Sequence, residues 1–300
     1  MHGQFMPNFF VVGAPKCATG AICAALEQHP DVYIPALREP NYFSHDLSHP
    51  DPMDEKTYLA LFEGRVEARL GEGSTWYLYS SAAPKLIHQV CGGDVKIIVS
   101  LRRPLDLVVS LFEYRKFYGT HPFDTIEEGL AAEKAHLAAV DRDPIKPDPY
   151  KIICDVARYH DGLRRYIDLF GRENVKVILY EDFSTRFDAV TAELLEFLEL
   201  APMALVNNVT NPSHSRRSQR LARFLSWRPA PLQAAINRFP VGPRRALLDR
   251  INTLNTGKAK RPSLSPETRA AIEDHVRDDV TAVAALIDRD LSHWLDLRNS

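Results

Sequence analysis

One stretch near the start constrains the chain more than any other. Phe9, Phe10, Val11 and Val12 form an apolar run too short for a lone helix. It reads as a strand buried on both faces, as in a parallel sheet. Gly13, Ala14 and Pro15 end it, and Lys16, Cys17, Ala18, Thr19, Gly20 and Ala21 follow, all small except the lysine. Ile22, Ala24, Ala25 and Leu26 then continue with helical spacing until His29-Pro30. The order strand, small-residue turn, helix gathers backbone N–H groups and a helix N-terminus at one spot, which suits a phosphate or sulfate. The same pattern also fits an ordinary strand-to-helix connection with an exposed lysine. It is not a Walker A loop, because Cys17 follows Lys16 and no serine or threonine stands at the Mg²⁺ position.

Composition narrows the class. The 45% hydrophobic content of 300 residues is ample for a sizeable core. Net charge is −2, so no global basic field invites nucleic acid. Charge is uneven, with clusters at Arg216, Arg217, Arg220 and Arg223 and at Arg244, Arg245, Lys258, Lys260 and Arg261. Each reads as a solvated face or as an anion site. Cys17, Cys23, Cys91 and Cys154 lack metal-ligand or redox spacing. They read as free thiols in a reducing, cytoplasmic setting. The first residues lack a charged and apolar leader, and no apolar run is long enough for a membrane span.

Further strands are expected at 32–34, 69–74, 95–101 and 175–180. Helices are expected at 56–62, 84–90, 104–118, 125–139, 150–170 and 188–200, then recurring to 251, with a last one from Pro266. Residues 207–215 and 252–266 read as turn and irregular chain. Strands alternating with helices argue for a parallel sheet covered on both faces. In such sheets ligands bind beyond the carboxyl ends of the strands. The first strand delivers Lys16 there; the 95–101 strand delivers Arg102, and Ser110 follows eight residues on, about two helical turns away. A guanidinium plus a hydroxyl suits a second anion. The alternative is that Arg102 pairs with Asp106 and Ser110 faces another helix.

Taken in order, these pieces resemble the sulfotransferases that use 3′-phosphoadenosine-5′-phosphosulfate (PAPS), in their bacterial and heparan-type branch. Pro15-Lys16-Cys17-Ala18-Thr19-Gly20 is similar to the family's 5′-phosphosulfate loop, usually Pro-Lys-x-Gly-Thr-Thr. Arg38-Glu39-Pro40-Asn41-Tyr42-Phe43 is similar to its Lys-Glu-Pro-x-x-Phe stretch, and Gly71-Glu72-Gly73-Ser74 to its Gly-Glu-x-Ser/Thr turn. Leu101-Arg102-Arg103-Pro104 with Ser110 resembles the 3′-phosphate motif. Tyr180-Glu181-Asp182-Phe183 and residues 289–294 resemble two later signatures. Ala18 replaces the loop glycine, and Gly20 replaces a threonine or arginine that would donate to the 5′-phosphate.

The resemblance implies an α/β, three-layer, P-loop-like fold with a central parallel sheet flanked by helices. It implies one domain over 1–300, with a nucleotide-binding core at 1–200 and a mainly helical extension at 201–300. It implies in-line transfer of the sulfuryl group from PAPS, without a metal, to a hydroxyl or amine of a small-molecule, carbohydrate or carrier-bound acceptor. The product nucleotide would be 3′-phosphoadenosine-5′-phosphate (PAP). Lys16 would stabilise the leaving oxygen, and Lys16, Cys17, Ala18, Thr19, Gly20 and Ala21 would cradle the 5′-phosphate. Arg102 and Ser110, with Arg216 or Arg217, would hold the 3′-phosphate. Glu39 is the implied general base, with His45 as its rival. Tyr42, Phe43, His45, Trp76, Tyr77 and Tyr114 would line the acceptor side. Two other readings are a P-loop kinase, which needs Mg²⁺ ligands the sequence does not display, and a degenerate sulfotransferase fold that binds nucleotide without turnover.

Overall fold

Strand β1 (Phe9–Gly13) runs through the middle of the molecule with every residue buried, which is why it reads as an unbroken apolar run. The computed structural model describes residues 6–49, 52–120, 123–142, 145–207, 214–216, 256–258 and 264–295. Four more strands join β1 in a five-stranded sheet: β2 (Val32–Tyr33), β3 (Arg69–Gly73), β4 (Lys96–Leu101) and β5 (Val175–Leu179). Their order is β2-β3-β1-β4-β5, and all neighbours are parallel.

Alternate residues of β1 serve opposite faces. Phe9 and Val11 pack with Ile22 and Leu26 of α1 (Thr19–Leu26) and with Val190 and Leu194 of α8 (Phe187–Phe197). Phe10 and Val12 pack with Leu163 and Tyr166 of α6 (His160–Phe170) and with Val276 and Val280 of α9 (Pro266–Ile287). The result is the expected α/β arrangement of helices on both faces of a parallel sheet. Gly71 of β3 is required by this packing, since a Cβ there would stand 2.0 Å from the Phe9 ring.

Between these elements lie α2 (Glu55–Ala60), α3 (Ala83–Cys91), α4 (Pro104–Tyr118), α5 (Ile126–Val140) and α7 (Tyr180–Thr185). Helix α4 opens on a proline at its first position and stops at Gly119, whose φ of 71° suits glycine. Ser265 caps α9, its Oγ accepting from Thr268 N at 3.1 Å.

Three expectations are corrected. The helix expected over 150–170 begins only at His160; residues Pro149–Lys151 and Asp155–Ala157 are separate 3₁₀ turns. The cause is distant: Asp279 of α9 accepts from Tyr159 N at 2.7 Å and His160 N at 3.1 Å, capping α6 there. The strand expected over 175–180 ends at Leu179, and Tyr180 already belongs to α7. A short antiparallel pair, β6 (His214–Arg216) and β7 (Thr256–Lys258), stands where turn and irregular chain were expected. The helices expected between 216 and 251, with most of the two arginine clusters, lie outside the described residues. The four cysteines are free thiols. No described helix is long and apolar enough to cross a membrane.

Candidate functional site

The turn between β1 and α1 is tied to the end of β4. Ala14 N donates to Ser100 O at 2.7 Å, Ser100 Oγ to Cys17 O at 2.5 Å, and Arg102 Nη1 to Lys16 O at 3.1 Å. Tyr159 OH then fixes Arg102 through its carbonyl at 2.9 Å. With its carbonyls held from one side, the turn leaves the amides of Lys16, Ala18, Thr19 and Gly20 without a hydrogen-bond partner among the described residues. Lys16 and Ala18 both have φ 63°, and residues alternating into the left-handed region make an N–H nest for an anion. The N-terminus of α1 adds its dipole at the same place. The Thr19 hydroxyl also lacks a partner among the described residues. Cys17 is fully buried; burial pushes its thiol up to about 12, so it offers the nest only main chain. Gly20 is exposed, and a Cβ there would meet nothing within 4 Å.

Two cations flank this nest. Lys16 Nζ lies 4.1 Å from the centroid of the Tyr114 ring, and the Arg102 guanidinium lies 4.2 Å over Tyr180. Neither forms an ion pair with a described residue, so the alternative pairing of Arg102 with Asp106 does not occur. Arg102 Nε is buried without a partner. Burial first, then the charge of Arg102, push the Lys16 pKa down, while Glu39 pulls it back up. An uncompensated pair of this kind is costly in the free protein and fits a polyanionic ligand. Ser110 precedes Tyr114 by one turn of α4 and shares its face; its hydroxyl bonds to no described residue. Arg216 lies in β6, which runs beside α4. Arg217 falls outside the described residues.

Glu39 sits on the far side of Lys16, in a turn held against β3. Its N–H donates to Gly73 O at 3.1 Å, and Thr75 Oγ1 donates to its Oε2 at 2.9 Å. Arg38 is engaged elsewhere, with Glu27 at 2.5 Å. Gly13 brings the two halves together: a Cβ there would stand 2.8 Å from Thr75 O. Glu39 as a residue is open to solvent, but its carboxyl end lies in a crowded cleft. That crowding raises its pKa, opposed by the Thr75 hydrogen bond and the charge of Lys16.

The residues expected on the acceptor side divide. Tyr42 and His45 line a cavity of about 230 Å³ together with Asn41, His49, Met53 and Lys146. Tyr114 is 45% exposed. Phe43, Trp76 and Tyr77 offer an acceptor little or nothing, being buried at 1%, 8% and 0%. Phe43 is enclosed by the rings of Phe10, Tyr42 and Tyr58. Tyr77 uses its hydroxyl on Glu72 and on Phe43 N. Trp76 packs against Tyr79 and beneath Arg115. Thr75 and Tyr159 were missed by sequence reasoning. Thr75 directly follows the quoted Gly71-Glu72-Gly73-Ser74 turn, and that position was its available signal.

A parallel α/β sheet covered by helices, with an anion nest and two cations that pair with no described carboxylate at the carboxyl end of its strands, is a P-loop-like fold. The sulfotransferase domain family matches residues 6–222, and the chain belongs to that family of enzymes. A sulfotransferase from Alicyclobacillus acidocaldarius is 26% identical with a TM-score of 0.73, over 98% of this chain and 100% of that one. The sulfotransferase domain from the curacin biosynthetic pathway is 14% identical with a TM-score of 0.50, over 96% and 100%, a likeness of fold. Mouse sulfotransferase SULT7A1 complexed with PAP is 16% identical with a TM-score of 0.49, over 94% and 87%. Comparison with curated protein sequences finds no match.

Proposed function

We propose that the chain transfers the sulfuryl group of PAPS to a hydroxyl or amine of a small-molecule, carbohydrate or carrier-bound acceptor. The observation that carries this reading is the pair Lys16 and Arg102, two cations that form no ion pair with a described residue, beside four amides that have no hydrogen-bond partner among the described residues. Bound there, PAPS supplies an activated sulfuryl group on a phosphosulfate linkage. Thr19 and the amides of the turn hold the 5′-phosphate. Arg102 and Ser110, with Arg216 or Arg217, hold the 3′-phosphate. Lys16 neutralises charge growing on the bridging oxygen, an interaction strongest in the transition state. Glu39 takes the acceptor's proton, and its raised pKa suits that task. Tyr42, His45 and Tyr114 contact the acceptor. Four free thiols support a cytoplasmic setting.

The test is an acceptor screen with labelled PAPS, followed by mass spectrometry of the product, on the wild type and on Glu39→Gln and His45→Ala. Glu39→Gln should lower turnover about 10²–10⁴-fold, the usual worth of a general base, and leave PAP affinity intact. Near-normal turnover in Glu39→Gln with none in His45→Ala would transfer the base to His45. Failure of every acceptor, with PAP unbound in calorimetry, would sink the reading as a whole.

A further inference from the structure

Glu72 takes no part in the chemistry above, yet it is tied to the base turn from below. It lies in β3 at 1% exposure, and no cation among the described residues pairs with it. Hydroxyls occupy both of its oxygens. Ser74 Oγ donates to Oε1 at 2.5 Å, while Tyr58 OH and Tyr77 OH donate to Oε2 at 2.7 and 3.2 Å. Two of these hydroxyls also accept from the main chain just past Glu39: Asn41 N donates to Ser74 Oγ at 3.1 Å, and Phe43 N to Tyr77 OH at 3.1 Å.

The direction of these bonds follows from a simple inventory. A hydroxyl has one proton and two lone pairs, and an ionised carboxylate only accepts. With its proton sent to Glu72, each hydroxyl keeps its lone pairs for an N–H. Once its proton has left, as pH rises through about 7, the acceptor-only group at 72 therefore orients both bridges. The turn they fasten needs fastening, because Glu39 has φ 54° and Asn41 φ 53°, a region that residues with side chains avoid. Its other supports are Glu39 N on Gly73 O, Thr75 Oγ1 on the Glu39 carboxylate at 2.9 Å, Asn41 Nδ2 on Glu39 O at 2.8 Å, and Ser44 N and Oγ on Asn41 O at 3.3 and 3.1 Å. A carboxylate buried without a cation is a poor choice for stability alone, where an apolar residue of similar volume serves better.

From this network we infer that Glu72 is a positioning residue for sulfuryl transfer. Through Ser74 and Tyr77 it fixes the turn that presents the Glu39 carboxylate beside Lys16. The inference rests on the reading of Glu39 as the base.

The test uses the full chain and the variants Glu72→Gln, Ser74→Ala, Glu39→Gln and the double Glu39→Gln/Glu72→Gln. Four readouts are taken: kcat, PAP affinity by calorimetry, melting temperature, and hydrogen exchange of the peptide spanning 39–44. Glu72→Gln should lower kcat at least about 10-fold with PAP affinity within about twofold of wild type. Exchange at Asn41 and Phe43 should speed up. In the Glu39→Gln background the added loss should vanish, because Glu72 acts only through Glu39. Should Glu72→Gln fail to fold, Ser74→Ala removes one bridge alone and is expected to show the same pattern more weakly. Normal kcat in these variants, a full additive loss in the double variant, or a parallel collapse of PAP binding would each overturn the inference. Near-normal kcat in Glu39→Gln alone marks the different failure, that of the base assignment, and takes the inference with it.

Discussion

Arg102 and Lys16 are joined through the main chain: Arg102 Nη1 donates to the Lys16 carbonyl at 3.1 Å. The bond fixes two cations at one end of the sheet, and neither forms an ion pair with a described carboxylate. Burial and Arg102 make the Lys16 charge harder to keep, and a bound polyanion relieves that penalty. The contact is also mechanical, because loss of the guanidinium releases the carbonyl of the residue that carries the ammonium.

Arg102→Ala should accordingly weaken PAP binding by about 1.5–3 kcal/mol, the scale of a charge-assisted hydrogen bond. Adenosine 5′-phosphosulfate, which has no 3′-phosphate, should lose much less. Calorimetry with both nucleotides measures the difference. Equal losses would place Arg102 at the other phosphate.

The dependence of kcat/KM on pH, which reports the groups of the free enzyme, should be bell-shaped. Crowding raises the Glu39 pKa, so the carboxyl keeps its proton to a higher pH than an ordinary glutamate and cannot act as a base until that proton leaves. The acid limb should therefore have its midpoint above 4.5. Burial and Arg102 lower the Lys16 pKa, so its charge is lost below 10.5, and the alkaline limb should fall there. A kcat/KM profile whose acid limb survives unchanged in Glu39→Gln would separate that limb from Glu39.

Glu72 should leave a mark on stability of opposite sense to that of a salt-bridged carboxylate. Burial raises its pKa from 4.5 to about 7. The folded state then holds this proton more tightly than the unfolded one. Its contribution is full below 4.5 and is lost as pH rises through about 7. Urea unfolding across that window should show wild type losing stability relative to Glu72→Gln. Parallel curves for the two proteins would mean that Glu72 does not change protonation on folding.

Ala18 stands in a left-handed conformation, φ 63°, where a Cβ crowds the following carbonyl. Ala18→Gly should stabilise the protein by about 0.5–1 kcal/mol, the strain relieved less the greater freedom of glycine in the unfolded chain. Urea denaturation reads the change directly. A loss of stability would mean that the Ala18 methyl packs more usefully than its backbone angle suggests.

Gly20 is exposed at the start of α1 with open space around it. Gly20→Thr should fit without a clash and supply a hydroxyl to the nest. PAP affinity should improve by about 0.5–1.5 kcal/mol, one net hydrogen bond. Unchanged affinity would show that another donor already fills the place.

Legibility in the sequence followed locality. Helix α4 was read to its ends, because a proline at its start and a glycine after its last turn are local signals. β1 was legible because burial on both faces leaves no polar interruption. The start of α6 was not, since the cap that sets it comes from Asp279, over a hundred residues later. The site divided in the same way. Lys16, Arg102 and Glu39 stand at strand ends or beside a proline and were found. Phe43 and Tyr77 were placed on the acceptor side because an aromatic residue looks the same in a core as in a pocket. Their burial and the Tyr77 hydroxyl, held between Glu72 and Phe43 N, show that these two face inward.

The strand order has a consequence for how such a chain diversifies. β3, β1 and β4 are adjacent, and each supplies one part of the proposed site: the backing of the base turn, the Lys16 loop and the Arg102 terminus. The cavity around His45 is walled mostly by residues within 41–49 and by Pro52 and Met53, which follow β2 and precede β3 without entering the sheet. Exchange of Tyr42, His45, His49 or Met53 alters this wall without touching the three strands; under the proposed function, acceptor choice and donor chemistry are written in separate parts of the chain.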